Sequence, residues 1–326
     1  MSQSAPRDLV TAPEDLTVET APAVLGKSPW RLFWDRLRRD RLAFVGMGFI
    51  VLLILLALLA PVIAEVVGHG PNDRFQREMT DEFGLPKGPN GEFWFGADQV
   101  GRDVFVRAVY GARTSLVVAV VATGFAMVVG VALGVLAGYV GGWVDTAVSR
   151  TIDIILSMPI LLFAIGIVAA CSTTAEGCLG GLVKPGLSLV IFVIALFSWP
   201  YIARIVRGQT LSIREREFIE AGRSLGASTS RIMLREVLPN LVAPIIVYVT
   251  LIIPQNILFE AALSFLGLGV PQQIPSWGRM IADGAQIFEV AWWLMVFPGV
   301  FLLATTLAFN LLGDGLRDAL DPRTAR

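Results

Sequence analysis

Few side chains in this chain of 326 residues are placed to do chemistry. Two carboxylates, Asp153 and Glu260, lie in or beside long apolar runs. A carboxylate at membrane depth pairs, faces a water-filled path or takes up a proton, so both are candidates for a pathway or gate. Arg150 stands three residues before Asp153, the spacing of an ion pair on one helix face. Cys171 and Cys178 are the only cysteines, and they form a disulfide pair if their loop lies outside the cell. His69 is the only histidine, has no ligand-spaced neighbours, and reads as an ordinary surface residue. Gly26-Lys27-Ser28 would suit the end of a phosphate-binding loop, but the upstream glycine position holds Ala21 and no strand precedes it. Spacing yields no nucleophile–base pair and no metal cluster. No catalytic residue, metal ligand or cofactor site is therefore assigned, and enzyme chemistry is not expected of this chain.

The elements that position these residues are membrane helices. Hydrophobic residues make up 55% of the chain and charged ones only 16%, and the mean hydropathy is +0.67. A soluble domain carries about 25% charged residues. Six uncharged runs are long enough to span a hydrocarbon core: 42–64, 114–144, 154–175, 185–203, 238–259 and 290–313. Each is expected to be a helix, because lipid offers the backbone no other partner. Residues 1–26 mix Pro, Ala, Thr and acids without periodicity and read as a disordered tail. A signal peptide is not expected, since the first apolar run starts late and is too long. Residues 27–41 read as an interfacial amphipathic helix, with Trp30, Phe33, Trp34 and Leu37 at i, i+3, i+4 and i+7.

Its arginines place the amino terminus in the cytoplasm. Six spans then put both termini inside, with residues 65–99 in an extracytoplasmic loop and 317–326 in a cytoplasmic tail. The loop holding Cys171 and Cys178 falls outside, where disulfides persist, so the pair is expected to be bonded. Gly130 and Gly134 are four apart, the spacing of a close helix crossing. Gly141-Gly142 predicts a tight turn, and the Pro/Gly-rich stretch between the last two runs predicts an irregular loop.

Between the fourth and fifth runs lies a charged stretch, residues 217–240, EFIEAGRSLGASTSRIMLREVLPN. Phe218, Ala221, Gly222 and Leu225 mark one apolar, mostly small face of a first short helix, with Glu217, Glu220 and Arg223 around it. Gly226 closes that helix, and Ser228 or Ser230 can cap a second over 231–238. An uncovered face of small residues suits close approach by a protein partner.

This stretch resembles the cytoplasmic EAA loop of ABC-importer permeases. Glu220, Ala221, Gly226, Leu238 and Pro239 match the family pattern in register. Gly222 replaces its second alanine, and Glu236 stands at an apolar position. The segments GRDVFVRAVYGARTSL, GGWVDTAVSRTIDIILSMP, ALSFLGLGVP and FNLLGDGLRDALDPR extend the resemblance over roughly residues 31–326. They are similar to the second-permease type of the dipeptide/oligopeptide importers.

The resemblance implies an all-α integral membrane protein of six transmembrane helices. A type I five-helix unit would occupy 100–316, preceded by one added span. It implies a homologous permease partner, two ATPase subunits or domains that carry ATP and Mg, and an extracytoplasmic substrate-binding protein. The coupling residues would be Phe218, Glu220, Ala221, Gly222, Leu225 and Gly226. The setting would be the cytoplasmic membrane of a prokaryote, with the lipid bilayer and no nucleic acid as surroundings. Di- or oligopeptides are the expected cargo; nickel chelates, glutathione and sugars are carried by related permeases. A stand-alone secondary transporter would need intramembrane charges on several helices, where only Asp153, Glu260 and flanking arginines qualify.

Overall fold

The computed structural model describes residues 29–320. The expected tail at 1–26 and the last residues, 321–326, lie outside the described residues. Among those described the architecture is helical, and extended pairing is limited to isolated bridges. Five helices are long and apolar enough to cross a membrane, and a bent helix pair supplies a sixth crossing if counted as one.

Helix α1 (Pro29–Leu37) is amphipathic and buries Leu37 against the end of the last helix. Asp40 then caps α2 (Arg41–Val67), accepting from the Leu42 and Ala43 amides. Only a narrow stripe of α2 is buried, Ala43, Gly46, Ile50, Leu53, Ala57, Ala60 and Ala64. A Cβ on Gly46 would come 2.7 Å from the Ala308 carbonyl, so glycine there permits a close crossing.

The segment after α2 is more ordered than a loop. It holds a short helix, α3 (Gln76–Met79), and a small core of Met79, Phe93 and Ala97. His69 is not a surface residue: it is 5% exposed, and its Nδ1 lies 2.7 Å from Asp103 Oδ2. Its ring stacks on Phe93 at 4.5 Å between centroids. Long-range aromatic packing, invisible to spacing, made the difference.

Asp103 also caps α4 (Val104–Val140). This helix begins well before the apolar run at 114. Arg107 does not interrupt it, because its guanidinium donates to the Pro71 carbonyl, Asn72 Oδ1 and the Gln272 carbonyl. Gly141, at φ 72, separates α4 from α5 (Gly142–Ser157). The third run is not one helix. It breaks at Met158-Pro159 and bends by 88° into α6 (Ile160–Cys171). Proline pushes the residue before it out of the helical region, and Met158 is extended with ψ 143.

Helix α7 (Leu187–Arg214) packs along α4 in the most extensive seam of the fold. A Cβ on Gly134 would meet the Ala203 carbonyl at 2.7 Å, and one on Gly138 would meet Thr210 Cβ at 2.7 Å. The glycines of α4 therefore serve close contact with α7.

The charged stretch forms α8 (Glu217–Ser224) and α9 (Thr229–Ile232). The second helix does not stop at Pro239. It runs through a π-turn (Met233–Val237) into α10 (Leu238–Phe265). The wider turn gives room to the proline ring, which would crowd a carbonyl one turn back in an α-helix.

The Pro/Gly-rich stretch is also not wholly irregular. Ser276 caps α11 (Trp277–Ala285) there, accepting from the Arg279 amide. Trp277 is fully buried and donates to the Ala108 carbonyl. Helix α12 (Trp293–Leu320) closes the fold and continues into the expected 317–326 tail.

Candidate functional site

Helix α8 buries one side chain. Ile219 is fully buried in a core that includes Tyr139, Ile232, Val237 and Leu241. Phe218, Glu220, Ala221 and Leu225 face outward, and Leu225 is 87% exposed. Gly222 lies at the edge of this face, with room for a Cβ 4.0 Å from Ile232. The helix ends in a turn at Gly226, φ 78, where the Ala227 amide donates to the Gly222 carbonyl and the Gly226 amide to that of Arg223. Ser228 caps α9, accepting from the Arg231 amide. An 8-residue helix cannot bury its own apolar side. One apolar residue is anchored and three are left open.

The structure ties this helix to the ends of α4 and α7 through residues that spacing did not single out. Arg223 on α8 donates from Nε to the Tyr139 hydroxyl (3.3 Å), and its guanidinium lies 5.2 Å from the Tyr139 ring centroid. Arg214 on α7 donates to the Tyr139 carbonyl. Arg207 grips Asp145 at the start of α5 with two hydrogen bonds. Tyr139 is thus clasped from α7 and α8 where α4 turns into α5. A tyrosine ending an apolar run was the available sequence signal.

Asp153 pairs with Arg204 of α7 at 2.8 Å, not with Arg150 on its own helix. The expected i, i+3 pair gives way to a contact between helices. Both partners are more than half exposed. Glu260 is fully buried in α10. Its two oxygens accept from Ser115 of α4 (3.0 Å) and Ser264 (2.7 Å). The two carboxylates therefore occupy opposite settings, one at an open helix junction and one inside the bundle.

Cys171 ends α6, is buried, and is joined to Cys178 in a disulfide with Cα atoms 5.1 Å apart. The described residues contain no group of three or more His, Cys, Asp or Glu placed to hold a metal.

A family profile described as "Binding-protein-dependent transport system inner membrane component" matches residues 130–326. A second, "N-terminal TM domain of oligopeptide transport permease C", matches residues 28–82. The chain is 41% identical over 298 residues to a dipeptide transport system permease protein DppC of Alkalihalophilus pseudofirmus, covering 91% of this chain and 90% of that one. It is 39% identical to the DppC of Bacillus subtilis, covering 90% and 85%. It is 41% identical to a glutathione transport system permease protein GsiD of Escherichia coli O157:H7, covering 91% and 91%. Among solved structures, one of the MetNI methionine ABC transporter superposes with a TM-score of 0.54 at 21% identity, covering 66% of this chain and 96% of that one. The chain thus shares its sequence with permeases over nine-tenths of its length, and it belongs to the family of binding-protein-dependent transport system inner membrane components.

Proposed function

We propose that the chain is one permease subunit of an ATP-driven importer of di- or oligopeptides, working by alternating access in the cytoplasmic membrane. The observation that carries this reading is α8, a short helix with one buried anchor and an uncovered apolar face. Such a face suits a groove on a partner. The partner would be one of two ATPase subunits, which would bind ATP and Mg; a homologous permease and an extracytoplasmic binding protein complete the assembly. In this reading α8 faces the cytoplasm, and the transport unit spans about 100–316.

Phe218, Ala221 and Leu225 make the docking surface. Gly222 sets the distance of approach, Gly226 fixes the turn, and Glu220 orients the charged rim. The Arg223–Tyr139 clasp passes motion of α8 to the α4–α5 turn. Asp153 faces the path. Glu260 locks α4 to α10 near the outer gate through Ser115. ATP and the loaded binding protein bias the two states only through contacts that differ between them.

Glutathione is the second cargo reading, favoured by the relative of that name at the same identity. Uptake of labelled dialanine and of labelled glutathione by proteoliposomes carrying the whole assembly decides between them. The docking reading is tested by Gly222→Trp. It should lower uptake about tenfold or more, the equivalent of about 1.4 kcal/mol of docking, while membrane insertion is kept. Wild-type uptake in that variant, expressed normally, would remove α8 from the coupling surface.

A further inference from the structure

One side of the bundle is exposed yet polar at mid-depth. Tyr201 lies near the middle of α7, about 20 Å from either end at 1.5 Å per residue. It is 48% exposed, and Gln255 on α10 is exposed beside it. An amide and a phenol at this depth are unfavourable against lipid tails. The side chains around them form a cleft of about 410 Å³ between α7 and α10, with Ser198 and Asn256 at its base and Phe197 and Phe259 beside them.

The base of the cleft is fixed. Ser198 donates to Asn256 Oδ1 (2.8 Å), and Asn256 Nδ2 donates to Thr123 Oγ1 of α4 (2.8 Å). All three are buried, so their hydrogen-bonding capacity goes largely into holding α4, α7 and α10 together. The Tyr201 hydroxyl and the Gln255 amide point to a different use, because no described residue hydrogen-bonds to either. One turn along α7 toward α8 lies the Arg204–Asp153 pair.

Cleft polarity is uncharged. A carboxamide offers a donor and an acceptor together, the pattern that a peptide bond presents in return. Phenyl walls tolerate side chains of many shapes. We propose that the cleft between α7 and α10 is a transit site for the main chain of a peptide-like solute, hydrogen-bonded by Tyr201 and Gln255. This assignment rests on the importer reading above and deepens it by naming the group recognised.

The test uses the whole assembly in proteoliposomes, with Cys171→Ser and Cys178→Ser as background. Gln255→Cys and Leu55→Cys are treated with a membrane-impermeant thiosulfonate, with and without dialanine, and dialanine uptake is followed in the same vesicles. Position 255 should react about tenfold faster than position 55, which faces lipid, and dialanine should slow it. Gln255→Leu should raise the KM for dialanine uptake about fivefold, the worth of one net hydrogen bond, with turnover kept and with KM restored in Gln255→Asn. Equal, slow labelling at 255 and 55 overturns the site, because lipid or the partner permease then covers that face. Fast labelling that dialanine leaves unchanged while its uptake proceeds also overturns it. If dialanine is not taken up but glutathione is, and glutathione slows labelling, the dipeptide cargo fails while the site for a peptide-like main chain stands.

Discussion

The outward face of α2 and the cleft between α7 and α10 lie at similar depth and are both uncovered in the single chain. On α2 the exposed residues include Leu52, Leu55, Leu58, Leu59 and Val62. On α7 and α10 they include Tyr201, Arg204 and Gln255. The first set suits hydrocarbon; the second suits water or a polar partner. Exposure by itself therefore does not tell what a membrane surface meets, whereas residue chemistry at a given depth does. The same contrast runs inside the bundle, where Glu260 and Asn256 are polar but fully engaged with neighbours.

The largest expected effect is on insertion. Leu55 is near the middle of α2 and half exposed. Leu55→Arg should cost about 3 kcal/mol of insertion at the helix centre, and membrane-integrated protein should fall sharply. Tyr201→Arg, at the same depth on the cleft side, should integrate at close to the wild-type level. Protease protection of the membrane fraction measures both. An equal loss in the two variants would erase the distinction between the faces.

Much of this arrangement was legible in composition and run length. Lipid enforces helices, so apolar runs located the spans well, and the cap at Ser228 followed from local chemistry. The helix–helix seam was legible at Gly130 and Gly134 because only small residues let backbones meet. What spacing missed depends on contacts far apart in the chain. Arg204 reaches Asp153 across two helices, and Ile219 anchors α8 on residues up to Leu241. The cleft is similarly hidden, since Tyr201 and Gln255 are brought together by packing of α7 on α10. The bend at Pro159 had a local signal, but the length of the apolar run outweighed it.

A smaller effect separates polarity that serves the fold from polarity that serves the path. Glu260→Ala leaves the Ser115 and Ser264 hydroxyls without their acceptor inside the bundle. Loss of a buried partner costs about 1–3 kcal/mol, so the melting temperature of the purified assembly should drop by several degrees. Glu260→Gln keeps an acceptor and should drop it less. Gln255→Leu should leave the melting temperature unchanged while altering uptake. If Gln255→Leu melts as early as Glu260→Ala, Gln255 belongs to the interior and not to the path.

The smallest effect on stability is expected at the Arg204–Asp153 pair. Each partner is more than half exposed, and exposed pairs contribute about 0–1 kcal/mol because water screens them. Asp153→Asn should therefore leave the melting temperature nearly unchanged. Transport should respond differently. The change leaves Arg204 as an unpaired cation one turn from Tyr201, where a solute's carboxylate can lodge. A solute held more firmly leaves more slowly, so turnover and KM should fall together, each about twofold to threefold, a difference of about 0.5 kcal/mol. Raising the salt concentration should reduce the effect, since the added attraction acts through water. Reversing the pair with Asp153→Arg and Arg204→Asp restores neutrality at the same place and should return both constants toward wild type. Failure of that double variant to recover, with normal melting and normal insertion, would show that Arg204 acts by shape and not by charge.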